Sequence, residues 1–203
     1  MDHITIKKYP TYQEYLDNQA SKLSECQLPW LDNYEKMYRQ LLCGIIGFLH
    51  LKIPNLRQMS PVLCLGARRG VEVTVFRLLG YESIGIDINP GADNSLVIQG
   101  DFHHLPMEAE SQGIVYTNCL DHILDVDQFM NEVKRVLKPK GYFIILHASV
   151  EAVQRDRFAS CSWDNFDNVL QLIQSYGFMD IERIPIKNNN FFEAVQVLRR
   201  TEI

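Results

Sequence analysis

Several features that would settle a protein's class at once are missing from this chain. No apolar run approaches the ~18 residues of a membrane span, and Met1-Asp2-His3-Ile4 lacks the basic-then-apolar layout of a signal peptide. Neither membrane insertion nor export is expected, which leaves the cytoplasm as the expected compartment. Cationic residues are in short supply: 20 Lys and Arg against 25 Asp and Glu give a net charge of −5. Without a basic run to track a phosphate backbone, nucleic acid is not an expected partner. The five cysteines, Cys26, Cys43, Cys64, Cys119 and Cys161, are odd in number, scattered and without a C-x-x-C pair, a pattern of reduced thiols rather than a disulfide frame. His103-His104 has no cysteine cluster or recognisable ligand spacing around it, so no metal site is expected. What remains is 203 residues, 46% apolar and 22% charged, enough for one soluble domain with a modest elaboration and a sizeable core.

The stretch from 62 to 101 organises the rest. Val62-Leu63-Cys64-Leu65 reads as a short buried strand, Gly66-Ala67-Arg68-Arg69-Gly70 as a tight turn, and residues 71–79 as a helix with Val71, Val75, Leu78 and Leu79 on its inner face. Gly80 marks the stop. A second strand, Ser83-Ile84-Gly85-Ile86, delivers Asp87 21 positions after Gly66, close to the roughly 20 at which an acid meets ribose hydroxyls in nucleotide-binding α/β folds. Further strands at 95–99, 113–117 and 142–146 alternate with a helix whose buried stripe is Phe129, Met130, Val133, Val136 and Leu137. That alternation argues a parallel, doubly wound sheet.

Both ends depart from this rhythm. Near the C-terminus, Asp164 is placed to cap a helix carrying Phe166, Val169, Leu170, Ile173 and Tyr176. Two β-like runs, 179–186 and 191–198, are then joined only by Lys187-Asn188-Asn189-Asn190, too short for anything but an antiparallel pair. At the N-terminus, Thr11 with Glu14 forms a capping box for a helix carrying Tyr12, Tyr15, Leu16 and Leu23. Pro29 interrupts, and a second helix carries Tyr34, Met37, Tyr38, Leu41, Leu42, Ile45, Phe48 and Leu49 up to Pro54. These two helices either pack on the sheet or stand over its carboxyl edge. The expected fold is α/β: a doubly wound, mostly parallel seven-stranded Rossmann-like sheet over 59–203 that ends in an antiparallel hairpin, with an N-terminal helical extension over 1–58.

Five segments in this order and spacing carry a resemblance: Val62-Leu63-Cys64-Leu65-Gly66-Ala67-Arg68-Arg69-Gly70, Gly85-Ile86-Asp87-Ile88-Asn89-Pro90, Gly100-Asp101-Phe102-His103, Thr117-Asn118-Cys119-Leu120-Asp121-His122 and Leu137-Lys138-Pro139-Lys140-Gly141. With the terminal hairpin they cover about residues 60–200, and the chain resembles the class I S-adenosylmethionine-dependent methyltransferases, among them the small members with a G-A-R-x-G first turn. The resemblance implies S-adenosylmethionine as cofactor. It sets the methionine portion against Gly66, Ala67, Arg68 and Gly70, the ribose hydroxyls at Asp87 beside Ile88, and the adenine amino group at Asp101 with Phe102 packed nearby. Asn118 completes the cofactor-binding set. The chemistry agrees, since one ionised carboxylate accepts from two vicinal hydroxyls and amides at a helix N-terminus suit a carboxylate. Two positions depart from the family's motif. Cys64 stands where an acid is common and Arg68 where a glycine is, so a contact to the methionine amine is lost and the turn gains a cation. Arg68 or Arg69 would then face the methionine carboxylate, or both would point to solvent or a nearby acid.

A sulfonium is already a strong electrophile, so such an enzyme chiefly aligns the acceptor and removes its proton. Asn118, Asp121, His122 and His147 lie near the ends of the fourth and fifth strands. His122 is the candidate base with Asp121 to orient it, against a capping Asp121 and a packed His122. Tyr12, Tyr15, Tyr34 and Tyr38 combine apolar area with a polar tip and would help form the acceptor pocket. The expected acceptor is a small molecule or a glycan-like compound. Two readings from other classes stay open: a catalytically inactive binding module of this fold, and a nicotinamide-dependent oxidoreductase. Against the latter, Gly66-x-x-x-Gly70 lacks the close-approach glycine a pyrophosphate needs.

Overall fold

The computed structural model describes residues 4–25 and 28–202, without the side chains of 23, 25 and 28–30. The reading of Cys26 as a buried thiol lies outside the described residues, as does the placement of Leu23 on its helix face. Of the other cysteines, Cys64, Cys119 and Cys161 are buried free thiols and Cys43 is half-buried.

In chain order the strands are β1 (Ile4–Ile6), β2 (Val62–Leu65), β3 (Ser83–Asp87), β4 (Val97–Gln99), β5 (Gln112–Thr117), β6 (Leu137–Ala148), β7 (Cys161–Trp163), β8 (Phe178–Pro185) and β9 (Phe192–Arg200). The α-helices are α1 (Tyr12–Glu25), α2 (Leu28–Lys52), α3 (Val71–Leu78), α4 (Val126–Val136), α5 (Val150–Arg155) and α6 (Phe166–Ser175). Seven strands form one sheet in the order β4-β3-β2-β5-β6-β9-β8. β2 pairs in parallel with both β3 and β5, β6 continues in parallel, and β9 and β8 close the sheet antiparallel. The chain runs outward from β2 through β3 to β4, then returns to the other side of β2 to lay down β5. The gap between the carboxyl ends of β2 and β5 is therefore a topological switch point, where ligands of open α/β sheets bind.

Both faces of the sheet are covered, and β2 and β5 are buried throughout, which explains their unbroken apolar runs. One face packs against α4 and α6 through Phe129, Met130, Val133, Phe166 and Ile173. The other packs against α2 and α3, with Tyr38, Leu42, Ile45, Ile46 and Leu49 meeting Val73, Val75 and Phe76. The two N-terminal helices thus divide the alternatives between them. α2 shares a core with the sheet, with Pro29 inside its first turn, where a missing N–H costs nothing. α1 stands over the carboxyl edge: the Tyr15 hydroxyl donates to the His122 carbonyl at 3.0 Å, and the Asn89 amide to the Ala20 carbonyl at 2.7 Å. Thr11 caps it, accepting from the Glu14 N–H at 3.2 Å.

Three local expectations need correction, and one small sheet was not foreseen. On α3, Leu78 is 70% exposed while Glu72, Val73 and Phe76 are buried, because this helix is covered by α2 as well as by the sheet. Asn165, not Asp164, caps α6, its side chain accepting from the Asp167 N–H. Leu137 belongs to β6, where it pairs with Gln112, rather than to α4. β1 and β7 form a small antiparallel sheet of their own, invisible locally because each is three residues long and its partner is far away in the chain.

Candidate active site

At the switch point lies a cavity of about 640 Å³, within the range of roughly 300–1,000 Å³ typical of small-molecule sites. Gly66, Ala67, Arg68, Asp87, Ile88, Phe102, Asn118, Asp121 and His122 all line it. Gly70 and Asp101 do not. Tyr34, Tyr38, Phe158, Phe191 and Phe192 supply aromatic surface to the same space, so two of the four expected tyrosines face it.

The turn between β2 and α3 is pinned by Asp87. One carboxylate oxygen accepts the Arg68 N–H at 2.8 Å and the other the Asn89 N–H at 2.8 Å. Burial pushes the Asp87 carboxyl up, while those two backbone bonds and the Arg68 charge pull it back. Each oxygen keeps a second lone pair for a ligand. Gly66 has φ +68° and a side-chain carbon there would lie 2.4 Å from the Cys119 sulfur, so the ends of β2 and β5 approach as closely as they do only because Gly66 has none. Arg68 holds φ +42°, the left-handed backbone that explains a glycine at this position in the family's motif. Its N–H bond to Asp87 and its carbonyl, which accepts from the Asn94 amide at 3.2 Å, over-determine that conformation. Arg69 is committed elsewhere, pairing with Asp32 at 3.0 Å and Glu35 at 3.6 Å on α2. Of the two arginines, Arg68 is the one left to face a ligand.

Asp101 is hydrogen-bonded within the protein. It accepts from the Tyr12 hydroxyl at 2.5 Å, from the His103 N–H at 2.9 Å and from the His103 ring at 2.9 Å. Burial alone would raise its pKa, yet these donors outweigh burial and hold it at about 2. His103 Nε2 in turn accepts the Leu124 and Asp125 N–H groups, so its ring has no nitrogen left for a metal. His147 is buried, stacked on Phe166 at 3.6 Å between ring centroids, and does not line the cavity.

His122 is in the cavity but is already occupied. Its Nδ1–H donates to the Phe158 carbonyl at 3.2 Å, and Lys22 Nζ lies 2.8 Å from Nε2. That pair of contacts selects the neutral Nδ1–H tautomer, and burial holds the ring's pKa below its ordinary value. The same ammonium is 2.8 Å from Asp156. Asp121, His122 and Asp156 present ligand atoms within 4.8 Å of one another, and the Lys22 ammonium already supplies them with a cation. In this arrangement His122 has no lone pair to give, so the role of general base requires Lys22 to be displaced first. Asp121 Oδ2, 3.6 Å from Nε2, is too far to orient the ring by a hydrogen bond.

Sequence reasoning passed over Lys22, Asp156, Phe158 and Glu72. The first three meet only through the packing of α1 against the 156–158 turn, and nothing local marks them. Glu72 did leave a signal: an acid set between Val71 and Val73 on a helix that must be buried.

The sheet order and the cavity at its switch point define a Rossmann-like architecture. A model of the methyltransferase domain matches residues 63–145. Among solved structures, a 1,6-didemethyltoxoflavin-N1-methyltransferase of Burkholderia thailandensis, with 1,6-didemethyltoxoflavin and S-adenosylhomocysteine bound, is similar at TM-score 0.69 and 18% identity over 98% of this chain and 95% of that one. A protein of Pyrococcus horikoshii is similar at 0.63 and 20% over 81% and 91%. A geranyl diphosphate C-methyltransferase of Streptomyces coelicolor is similar at 0.56 and 12% over 69% and 72%. No curated protein sequence matches the chain. The chain thus shares its fold with methyltransferases, and residues 63–145 match the methyltransferase-domain model. Among the described residues, no helix is long and apolar enough to cross a membrane.

Proposed function

We propose that this protein transfers a methyl group from S-adenosylmethionine to a small-molecule acceptor, and that the cavity between β2 and β5 holds donor and acceptor together. The observation that carries this reading is the convergence in one cavity of the Gly66–Arg68 turn, a carboxylate with free lone pairs at Asp87, the apolar pair Ile88 and Phe102, and a separate aromatic wall. These groups fit the donor's parts: Asp87 accepts from vicinal hydroxyls, Ile88 and Phe102 flank a flat base, and Arg68 answers a carboxylate. The bound donor supplies an electrophilic methyl on sulfonium sulfur.

The chain's own contribution is alignment and exclusion of water. Tyr34, Phe158, Phe191 and Phe192 shape the acceptor end, and α1 roofs the edge of the sheet through Tyr15 and Lys22. Proton removal is a secondary task here. Where the acceptor is a hydroxyl, His122 takes its proton after Lys22 gives up Nε2 and stays with Asp156. Glycan-like acceptors suit the same aromatic wall, with which sugar faces pack. The absence of a close-approach glycine in the turn, where Arg68 stands, disfavours a dinucleotide pyrophosphate.

Calorimetric titration with S-adenosylhomocysteine and with NAD(P) tests the reading. Binding of the former alone, with a raised melting temperature by mass action, is expected, and Asp87→Ala should weaken it by roughly 1.5–3 kcal/mol, the scale of hydrogen bonds to a charged group. No thermal shift at saturating concentration in folded protein would remove the methyl-donor reading. Unchanged affinity in the variant would take Asp87 out of the site.

A further inference from the structure

Glu72 has no task in the reaction described so far. It stands in the first turn of α3, just beyond the Gly66–Gly70 turn, is 5% exposed, and lines the cavity. Its Oε2 is shut from solvent and has no hydrogen-bond partner. A carboxylate oxygen buried without a partner costs folding free energy, which marks it as a group kept for a ligand. Around it are Tyr34 and Tyr38 from α2, Tyr116 from β5 and Cys64 from β2, with Arg68 and Asp87 the charged groups within electrostatic reach. Burial pushes the Glu72 carboxyl up to about 7 against hydrogen bonds from its own backbone and from Tyr38, which favour the charged form, so its charge is within reach of a modest counter-charge.

Two further observations say which counter-charge. In the first motif that the sequence resembles, an acid is common where Cys64 stands, and Cys64 faces the same layer as Val71 and Val73 of α3. Glu72 brings a carboxylate to that layer from the helix, as Cys64 does not from the strand. Arg68 lines the same cavity and, among the described residues, its guanidinium makes no hydrogen bond or ion pair. A carboxylate with one unpartnered oxygen and a guanidinium without a partner at the same turn match an α-amino acid zwitterion, whose ammonium offers three donors and whose carboxylate accepts a guanidinium fork. An uncharged acceptor would leave both unmatched.

We propose that Glu72 binds the ammonium group at the methionine end of the methyl donor, replacing the missing acid at position 64, while Arg68 takes the carboxylate. This rests on the methyl-transfer reading, and the test separates the two. S-adenosylhomocysteine carries the amino-acid end, and 5′-methylthioadenosine lacks it while keeping the adenine, the ribose and the sulfur. By titration calorimetry, Glu72→Gln should bind S-adenosylhomocysteine about ten- to a hundredfold more weakly than wild type while 5′-methylthioadenosine changes by less than about twofold, the first being the loss of one charged hydrogen bond. Equal weakening of both ligands would make Glu72 a scaffold residue, and undiminished affinity for S-adenosylhomocysteine would remove it from the site; either overturns the proposal. Failure of folded wild type to bind either ligand would instead remove the donor reading on which this one stands.

If Glu72→Gln does not fold, the native chain gives the same answer through pH. Wild-type affinity for S-adenosylhomocysteine should fall as pH drops through about 7, because a protonated Glu72 no longer attracts an ammonium, while that for 5′-methylthioadenosine should not. Of the groups facing Glu72, the phenols of Tyr34, Tyr38 and Tyr116 and the Cys64 thiol are pushed up by burial and stay neutral there. Asp87 and Arg68 remain; Asp87 faces the ribose of both ligands, so the difference between them isolates the amino-acid end. Parallel pH profiles for the two ligands would overturn the assignment.

Discussion

Gly66→Ala is the substitution whose cost the structure states most fully. The residue holds φ +68°, and an added methyl would lie 2.4 Å from the Cys119 sulfur and 3.1 Å from its β-carbon. An L-residue in the left-handed region costs about 1–2 kcal/mol. Forcing a methyl into a packed site adds about 1–3 kcal/mol, here because Cys119 has little room to yield: its sulfur is 3.0 Å from the Thr117 hydroxyl and 3.5 Å from the Leu65 carbonyl. The variant should therefore lose roughly 2–5 kcal/mol of stability. The two terms separate in a double-mutant cycle, because Cys119→Ala removes the sulfur but leaves the backbone conformation. Gly66→Ala with Cys119→Ala should be less destabilised than the sum of the single variants by about 1–3 kcal/mol. Equilibrium unfolding in urea measures this, with the midpoint shifting at constant m-value. Strict additivity within about 0.5 kcal/mol would mean that Gly66 does not make room for Cys119, and the argument for close approach of β2 and β5 would fall. A neutral single variant would refute the left-handed turn as well.

The remaining predictions concern charge. Lys22→Met should raise the pKa of His122 as followed by NMR titration of the ring, because the ammonium on Nε2 depresses it in addition to burial, while Asp121 and Asp156 pull the other way; an unchanged or lower value would show that Lys22 does not hold that nitrogen. Asp101, held at about 2 against an ordinary 3.8, contributes stability above about 3.8 that is lost as pH falls towards 2. Asp101→Asn should therefore flatten the acid limb of the stability curve measured by denaturant titration between those values, and an unaltered limb would mean that Tyr12 and His103 do not favour the charged form.

Much of the architecture was legible because its causes are local. Buried parallel strands need continuous apolar runs, which β2, β5 and β6 display. A carboxylate at a strand end and glycines in a turn are backbone requirements that show in the letters, which marks the Gly66–Arg68 turn and Asp87; Ile88, Phe102 and Asn118 entered only through the family resemblance, and of that set Gly70 and Asp101 lie outside the cavity lining. The short link between the last two strands dictated an antiparallel pair. Other properties depend on neighbours that are remote in the chain. That Asp101 is spent on Tyr12 and His103, that Lys22 occupies the lone pair of His122, and that Arg69 is drawn off to Asp32 and Glu35 all follow from where α1 and α2 come to rest. Helix periodicity tells which face of α1 is apolar but not which sheet edge it crosses. The availability of a proton acceptor or a cation is decided by what sits within about 3 Å of it, and such distances between α1 and the ends of β4 and β5 exist only after the tertiary fold has formed.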